Sequence, residues 1–291
     1  MNISTSTETP SYFEINQSPW LSEILSPVQK LNSYGFRKPF EKPCFAIVGT
    51  RKPSIYGIKA ALGFSKQLAS LGFTIVSGLA RGIDSYAHWG ALMADGTTVA
   101  VLGHGLGRIY PPENRILAEK IIEKGGALVS EYEKDEPPLK HHFPERNRII
   151  SGLSLGVLII EAAEKSGSLI TANFALDQNR EVFVIGSRFD EPSFKGGNLL
   201  LQQGAKMVLT IDDVLEELPS QTFLHKVKKE TPICDLELLK TLFRKNKGVT
   251  HLSDFYQVPF YRRGLLFHQL DQAIQQKFVF ETPTRHFFWV E

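Results

Sequence analysis

From Pro43 onward the chain alternates between two kinds of hydrophobic spacing. Short apolar runs occur at Phe45–Val48, Phe73–Val76, Thr98–Leu102, Ala127–Val129, Gly156–Ile160 and Glu181–Ile185, with a weaker seventh at Lys206–Leu209. Each is bounded by glycine or a polar turn residue, and successive positions are apolar, as in strands buried on both faces. Between the runs the apolar positions recur at helical steps. Ala60, Ala61, Phe64, Leu68 and Leu71 mark one such segment; Ile116, Leu117 and Ile121 mark another, with Lys120 facing out. Strands alternating with helices of this length predict βαβ units. The expected fold class is α/β, a doubly wound and mostly parallel sheet with helices on both faces. Ligands of such sheets bind beyond the carboxyl ends of the strands, so the residues after each strand carry the functional reading.

The pattern changes on either side of this core. Residues 1–42 are polar and poorly periodic, with Leu21, Ile24, Leu25 and Val28 suited to one short helix. They are read as an N-terminal arm, packed on the core or partly disordered. Residues 43–218 form the core, 219–232 a linker with lysines between Pro219 and Pro232, and 233–291 a small second domain. There Leu236–Phe243 and Leu265–Gln276 have amphipathic helical spacing, and His251–Gln257 suits a short helix. Phe278–Glu281 and His286–Val290 suit two strands around a turn at Thr282–Arg285. Three helices and a hairpin predict a winged-helix-like domain.

The 291 residues are 42% hydrophobic and 22% charged, which suits one large domain and a smaller one. Net charge is only +2, so anion binding requires a local patch. Cys44 and Cys234 lie far apart without metal-ligand spacing, which argues against a disulfide framework and for a reducing compartment. No apolar run approaches the roughly 20 residues of a membrane helix. Met1–Pro10 is Ser/Thr-rich and lacks the basic-then-apolar order of a secretion signal. A cytoplasmic protein without membrane association is expected.

The densest chemistry lies in Phe143-Pro-Glu-Arg-Asn-Arg-Ile-Ile150, between the turn-forming Pro144 and the apolar start of a helix. Arg146 and Arg148 flank Asn147 and can bring donors to phosphate or carboxylate oxygens. Lys140, His141 and His142 lie just upstream, with Phe143 as a stacking surface. Cations beside an exposed aromatic are the pairing that holds single-stranded nucleic acid; the plainer reading is a helix start with solvated charges.

Other strand ends carry weaker signals. Gly49-Thr50-Arg51-Lys52-Pro53 precedes a helix from about Gly57, whose N-terminus offers free N–H groups to an anion. No Gly-Lys-Ser/Thr follows, so a Walker A loop is not supported. In Ser77–Asp84, Gly78 and Gly82 permit close backbone approach, Arg81 is a candidate phosphate or structural contact, and Asp84 suits a helix N-cap. Gly103-His104-Gly105 lacks dinucleotide-fingerprint spacing. Tyr110-Pro111 reads as a structural turn. Ser166-Gly167-Ser168 opens a helix that continues through Thr171, an anion nest; Glu161 before it reads as a base or, more commonly, a structural hydrogen-bond partner. Gly186-Ser187-Arg188 and Lys195-Gly196-Gly197 repeat the theme of glycine, cation and helix start. Adjacent histidines at 141 and 142 point apart on regular structure, which disfavours a metal site, and His88 and His104 read as structural. No His-Glu-x-x-His, Cys-x-x-Cys or Gly-x-Ser-x-Gly is present. No catalytic group, metal or cofactor is expected.

Together these motifs resemble the DNA-processing protein A family, also called Smf. The resemblance rests on Val48-Gly-Thr-Arg51 with Tyr56-Gly57, Ser77-Gly-Leu-Ala-Arg-Gly-Ile-Asp84 with His88, and Val101-Leu-Gly-His-Gly105. Tyr110-Pro111, Ser130-Glu131, Phe143-Pro-Glu-Arg-Asn-Arg148, Ser166-Gly-Ser-Leu-Ile-Thr-Ala172 and Gly204-Ala205 follow in family order. The resemblance implies a Rossmann-like core that binds single-stranded DNA, forms homodimers and helps load RecA recombinase during natural transformation. It implies a DNA pocket at Arg51, Lys140, Phe143, Asn147 and the Ser166-Gly167-Ser168 helix start, with Arg146 and Arg148 partly structural. The chain departs from the family in having Val184-Ile185-Gly186 after the sixth strand and little of the N-terminal helical domain of longer members. Arg262 and Arg263 could touch DNA from the small domain, though its mixed charges favour no strong role.

The alternative is a nucleoside monophosphate hydrolase of the lysine-decarboxylase-like type, which shares a Gly-rich turn and a strand-end glutamate. Its Pro-Gly-Gly-x-Gly-Thr run is replaced here by Ser166-Gly-Ser-Leu-Ile-Thr171. A third reading leaves the core inert and assigns partner binding to the small domain.

Overall fold

The structure, a computed structural model, describes residues 9–15, 24, 28, 30–187 and 190–218. Beyond these it describes 239, 242, 243, 249–251, 270, 273, 274, 279–281 and 286–289. The chain divides into two units, Met1–Lys226 and Val227–Glu291.

The first unit is built on nine strands: β1 (Ser11–Ile15), β2 (Leu31–Gly35), β3 (Cys44–Gly49), β4 (Thr74–Ser77), β5 (Thr98–Val101), β6 (Ala127–Ser130), β7 (Gly156–Ile160), β8 (Glu181–Ile185) and β9 (Lys206–Val208). Its helices are α1 (Ile55–Ser70), α2 (Ile83–Met93), α3 (Arg115–Glu123), α4 (His142–Gly152), α5 (Ser168–Asp177), α6 (Lys195–Gln202) and α7 (Ile211–Leu215). The strand order is β1-β2-β6-β5-β4-β3-β7-β8-β9. All pairs from β6 to β9 are parallel, as the unbroken apolar runs predict. The order reverses between β3 and β7, the position where a doubly wound sheet opens a crevice at its carboxyl edge.

Alternate residues of each strand feed opposite faces. Ala46, Val48, Val76, Val101, Val157 and Ile159 face Ile149 and Ile150 of α4 and Ala172 and Ala175 of α5. On the other face Phe45, Ile47, Ile75, Leu158 and Ile160 meet Ile58 and Leu62 of α1 and Ile83 and Ala87 of α2. Each such fully buried Ile, Leu or Phe stabilises the fold by roughly 1.5–3 kcal/mol. Local signals then trim the helices. Ser54 caps α1 by accepting from the Gly57 N–H at 3.1 Å, and Gly72, at φ +95°, follows its end.

Two strands go beyond the sequence reading. The segment read as an arm supplies β1 and β2, with β2 antiparallel to β6 and β1 antiparallel to β2. Of β2, Leu-Asn-Ser-Tyr-Gly, only Leu31 and Tyr34 are markedly apolar, and Ser33 is buried. Pairing with the edge of β6, rather than strand patterning, explains it. Ile24 and Val28 of the expected short helix are described singly; Leu21 and Leu25 lie outside the described residues.

In the second unit β10 (Val249–His251), β11 (Val279–Glu281) and β12 (His286–Trp289) form an antiparallel sheet ordered β10-β12-β11. β11 and β12 are the expected pair; their turn at 282–285 lies outside the described residues. His251, read as a helix start, ends β10 instead. Arg188, Arg262 and Arg263 also lie outside the described residues. Among those described, no helix is long and apolar enough to cross a membrane.

Candidate nucleic-acid interface

The loops after β3, β5 and β7 converge on the first turn of α4. This helix begins at His142, two residues before Pro144, which falls in the first turn where its missing N–H has no helical acceptor to serve. Phe143 is half-buried. The Arg51 guanidinium carbon lies 5.8 Å from its ring centroid, within cation–π range. One turn on, Asn147 Nδ2 donates to the Gly167 carbonyl at 3.3 Å, tying α4 to the start of α5. There Ser166 and Ser168 place their Oγ atoms 2.7 Å apart. Gly167 is exposed, with open space where a side chain would project. Lys140 is exposed just before α4. Arg51, Phe143, Asn147 and the Ser166-Gly167-Ser168 turn are thus brought together, although more than a hundred residues separate the first from the last.

Other candidates are placed differently. Arg146 is only 3% exposed: its Nη1 donates to the carbonyls of Gly78, at 2.8 Å, and Val101, so it fastens α4 to the ends of β4 and β5 and cannot present charge to a ligand. Burial lowers its pKa to about 10, with the facing Asp84 opposing the shift. Arg148 makes a two-point ion pair with Glu131, 2.9 and 2.6 Å, and both side chains are largely buried. Thr171 is buried inside α5. These three are structural, because the inner faces of α4 and α5 rest on the sheet.

The phosphate reading of the α1 start fails for a similar reason. Glu161, at the end of β7 with φ +53°, accepts from the Ser54 N–H at 2.8 Å and the Ser54 hydroxyl at 2.8 Å. The chain's own carboxylate therefore holds the place an external anion would take. A side chain at Gly57 would strike Glu161 Oε2, one at Gly49 would strike the Ile160 carbonyl, and one at Gly78 would lie 2.6 Å from both Arg146 Nη2 and Asp84 Oδ2. Thr50 donates its N–H to the Glu161 carbonyl at 2.8 Å. Arg81 pairs with Glu113, and Lys195 pairs with Glu164 at 2.8 Å; both cations remain about half exposed.

Asp84 does not cap its own helix. It lies inside α2, where Gly82 is the N-cap, and its Oδ2 accepts from the N–H groups of Gly78, at 3.1 Å, and Ala80, at 3.4 Å. Burial pushes its carboxyl pKa up, opposed by Arg146 and these N–H groups. His141 and His142 do not point apart: their rings meet edge to face at 4.5 Å, and His142 stacks on Tyr132 at 3.9 Å. Among the described residues no group of three His, Cys, Asp or Glu side chains could hold a metal ion.

Residues 8–219 match the family model for DNA recombination-mediator protein A. The chain belongs to that family. It is 51% identical over 173 residues to protein Smf of Escherichia coli, covering 60% of this chain and 46% of that protein. It is 45% identical over 205 residues to DNA processing protein DprA of Bacillus subtilis, covering 69% of this chain and 68% of that one. The match thus spans about half the length of the first relative. The X-ray structure of DNA processing protein A from Streptococcus pneumoniae aligns with a TM-score of 0.67 at 40% identity, over 72% of this chain and 74% of that chain. The Helicobacter pylori family member, whose structure concerns its single-stranded DNA binding mode, aligns with a TM-score of 0.66 at 33% identity, over 72% and 98%.

Sequence reasoning missed the placement of Tyr110, and it gave Glu161 as a structural hydrogen-bond partner without naming what it meets. Tyr110 reads as a turn residue, yet the residue is 41% exposed and its ring centroid lies 5.7 Å from that of Phe143. Its sequence signal is an aromatic immediately before proline, a pair that also belongs to the motifs of the family resemblance. Glu161 meets Ser54 across 107 residues, a pairing no local pattern reveals.

Proposed function

We propose that this chain binds single-stranded DNA along the Arg51, Lys140, Phe143, Asn147 and Ser166-Gly167-Ser168 edge. In this reading it acts as a recombination mediator in natural transformation, protecting incoming DNA and helping to load RecA recombinase. It works as a homodimer in the cytoplasm and carries out no catalytic step. The observation that carries the reading is the Arg51 guanidinium over the Phe143 ring at the open carboxyl edge of β3. It joins a cation for the backbone to a ring for a base, the two elements of sequence-tolerant single-strand binding. Membership of the recombination-mediator family and the single-strand binding named for the Helicobacter pylori protein support it. The three-stranded sheet of the second unit supports reading residues 233–291 as winged-helix-like.

The hydrolase alternative requires a strand-end carboxylate free to act as a base, whereas Glu161 is buried and bonded to Ser54. The test is titration of fluorescent oligo-dT with the full chain at two salt concentrations, beside a duplex of equal length. Tight, salt-sensitive binding that prefers the single strand is expected. No binding at low salt rejects the reading.

A further inference from the structure

Tyr110 has no assigned part in the interface, yet its placement is that of a binding ring. Its centroid lies 5.7 Å from that of Phe143, with the planes inclined at 43°. Underneath, the buried His104 meets Tyr110 edge to face at 6.4 Å, and its Nδ1 lies 2.9 Å from the Gly105 carbonyl oxygen. The segment after Tyr110 is anchored as well. Asn114 is buried and donates to the Leu79 carbonyl at 2.7 Å and to Ser85 Oγ at 3.0 Å. Tyr110 is exposed while its support is fixed, which limits the entropy lost when a ligand stacks on it.

Building on the single-strand reading above, we infer that Tyr110 and Phe143 form a platform for two successive bases, held apart from one another. Consecutive bases in a stacked strand are separated by ~3.4 Å. Two rings 5.7 Å apart and inclined at 43° do not match that repeat. Each base stacks on its own ring, and the strand between them is opened. A duplex cannot meet this demand without melting, and a self-stacked purine strand meets it less readily than a pyrimidine strand. The platform thus selects flexible, weakly stacked single strands without reading base edges. Arg51, beside Phe143, supplies the charge for the connecting backbone.

The experiment titrates labelled dT6 and dA6 with the full wild-type chain, Tyr110→Leu and Tyr110→Phe. Wild type is expected to favour dT6 over dA6. Tyr110→Leu is expected to weaken dT6 binding roughly tenfold, the loss of one stacked base, and Tyr110→Phe to restore it. Equal binding of dT6 and dA6 by wild type, undiminished dT6 binding by Tyr110→Leu, or the same loss in Tyr110→Phe overturns the two-ring platform. It does so without touching the single-strand reading. Photocrosslinking of wild type to a 5-iododeoxyuridine hexamer makes the test independent of variant folding. An adduct on Tyr110 supports the platform, and adducts confined to other residues overturn it. Failure of wild type to bind any single strand removes both readings together.

Discussion

His88 has a definite tautomer. The Thr98 hydroxyl donates its one proton to the Ile75 carbonyl at 2.6 Å, so at 2.7 Å it accepts from His88 Nδ1–H. Nε2 is then the bare nitrogen, buried without a partner among the described residues, and protonating it would bury a charge and an unmatched donor. Burial, aided by Arg146, accordingly lowers the His88 pKa from 6.5 to about 3. Between those values the unfolded chain binds a proton that the folded chain does not. Stability is complete above pH 6.5 and falls on acidification by at most about 1.4 kcal/mol per pH unit. Asp84, held up by burial, contributes with the opposite sign above its ordinary 3.8. Urea melts from pH 7 to 4.5 should show a shallower loss for His88→Gln than for wild type. Arg146→Met removes the donor to two carbonyls and takes from Asp84 the stronger of the two cations that act on it, at a cost of roughly 3–5 kcal/mol in chemical denaturation. Adding Asp84→Asn should recover part of that loss, because the two side chains interact.

At the scale of the helix, the start of α1 is made by a distant strand. Ser54 supplies the local cap, and Glu161 at the end of β7 completes it. Glu161→Ala leaves Ser54 short of its acceptor, a loss of roughly 1–3 kcal/mol. Gly57→Ala drives a methyl group onto Glu161 Oε2, and overpacking of this kind costs about 1–3 kcal/mol. The double variant should lose less than the sum, since removing the carboxylate removes the clash; strict additivity in melts would show that the two positions do not meet. The βαβ strands were legible from local pattern, because adjacent residues carry those signals; the cap at Ser54 was not read, and the helix it opens begins at Ile55 rather than near Gly57. β1 and β2 were not legible, because their edge pairing in the sheet selects them.

For the molecule as a whole, weak net charge makes binding depend on the few cations the fold gathers. Each phosphate contact on a single strand contributes about −0.7 to the slope of log affinity against log salt. Arg51→Ala and Lys140→Ala should each flatten that slope by about 0.7 and weaken oligo-dT binding. Arg146 and Arg148 lie in the same motif, yet their charges are held within the protein. A cation whose removal leaves the slope unchanged does not touch phosphate. Isolated residues 1–226, a compact unit, should fold and keep the single-strand affinity of the full chain in the same titration.

By itself the sequence determined the alternating α/β plan and the parallel core. Strand burial and helix periodicity are written in neighbouring side chains, and turns in their glycines. Tertiary structure alone decided which charges after the strands remain outside. In Arg146-Asn147-Arg148 the three residues have similar polarity, but the rotation of α4 against the sheet buries Arg146, pairs Arg148 with Glu131 and leaves Asn147 to reach Gly167. The same packing set Glu161 into the α1 terminus and brought Tyr110 beside Phe143. Those placements depend on contacts between segments far apart in the chain, where no local spacing carries the information.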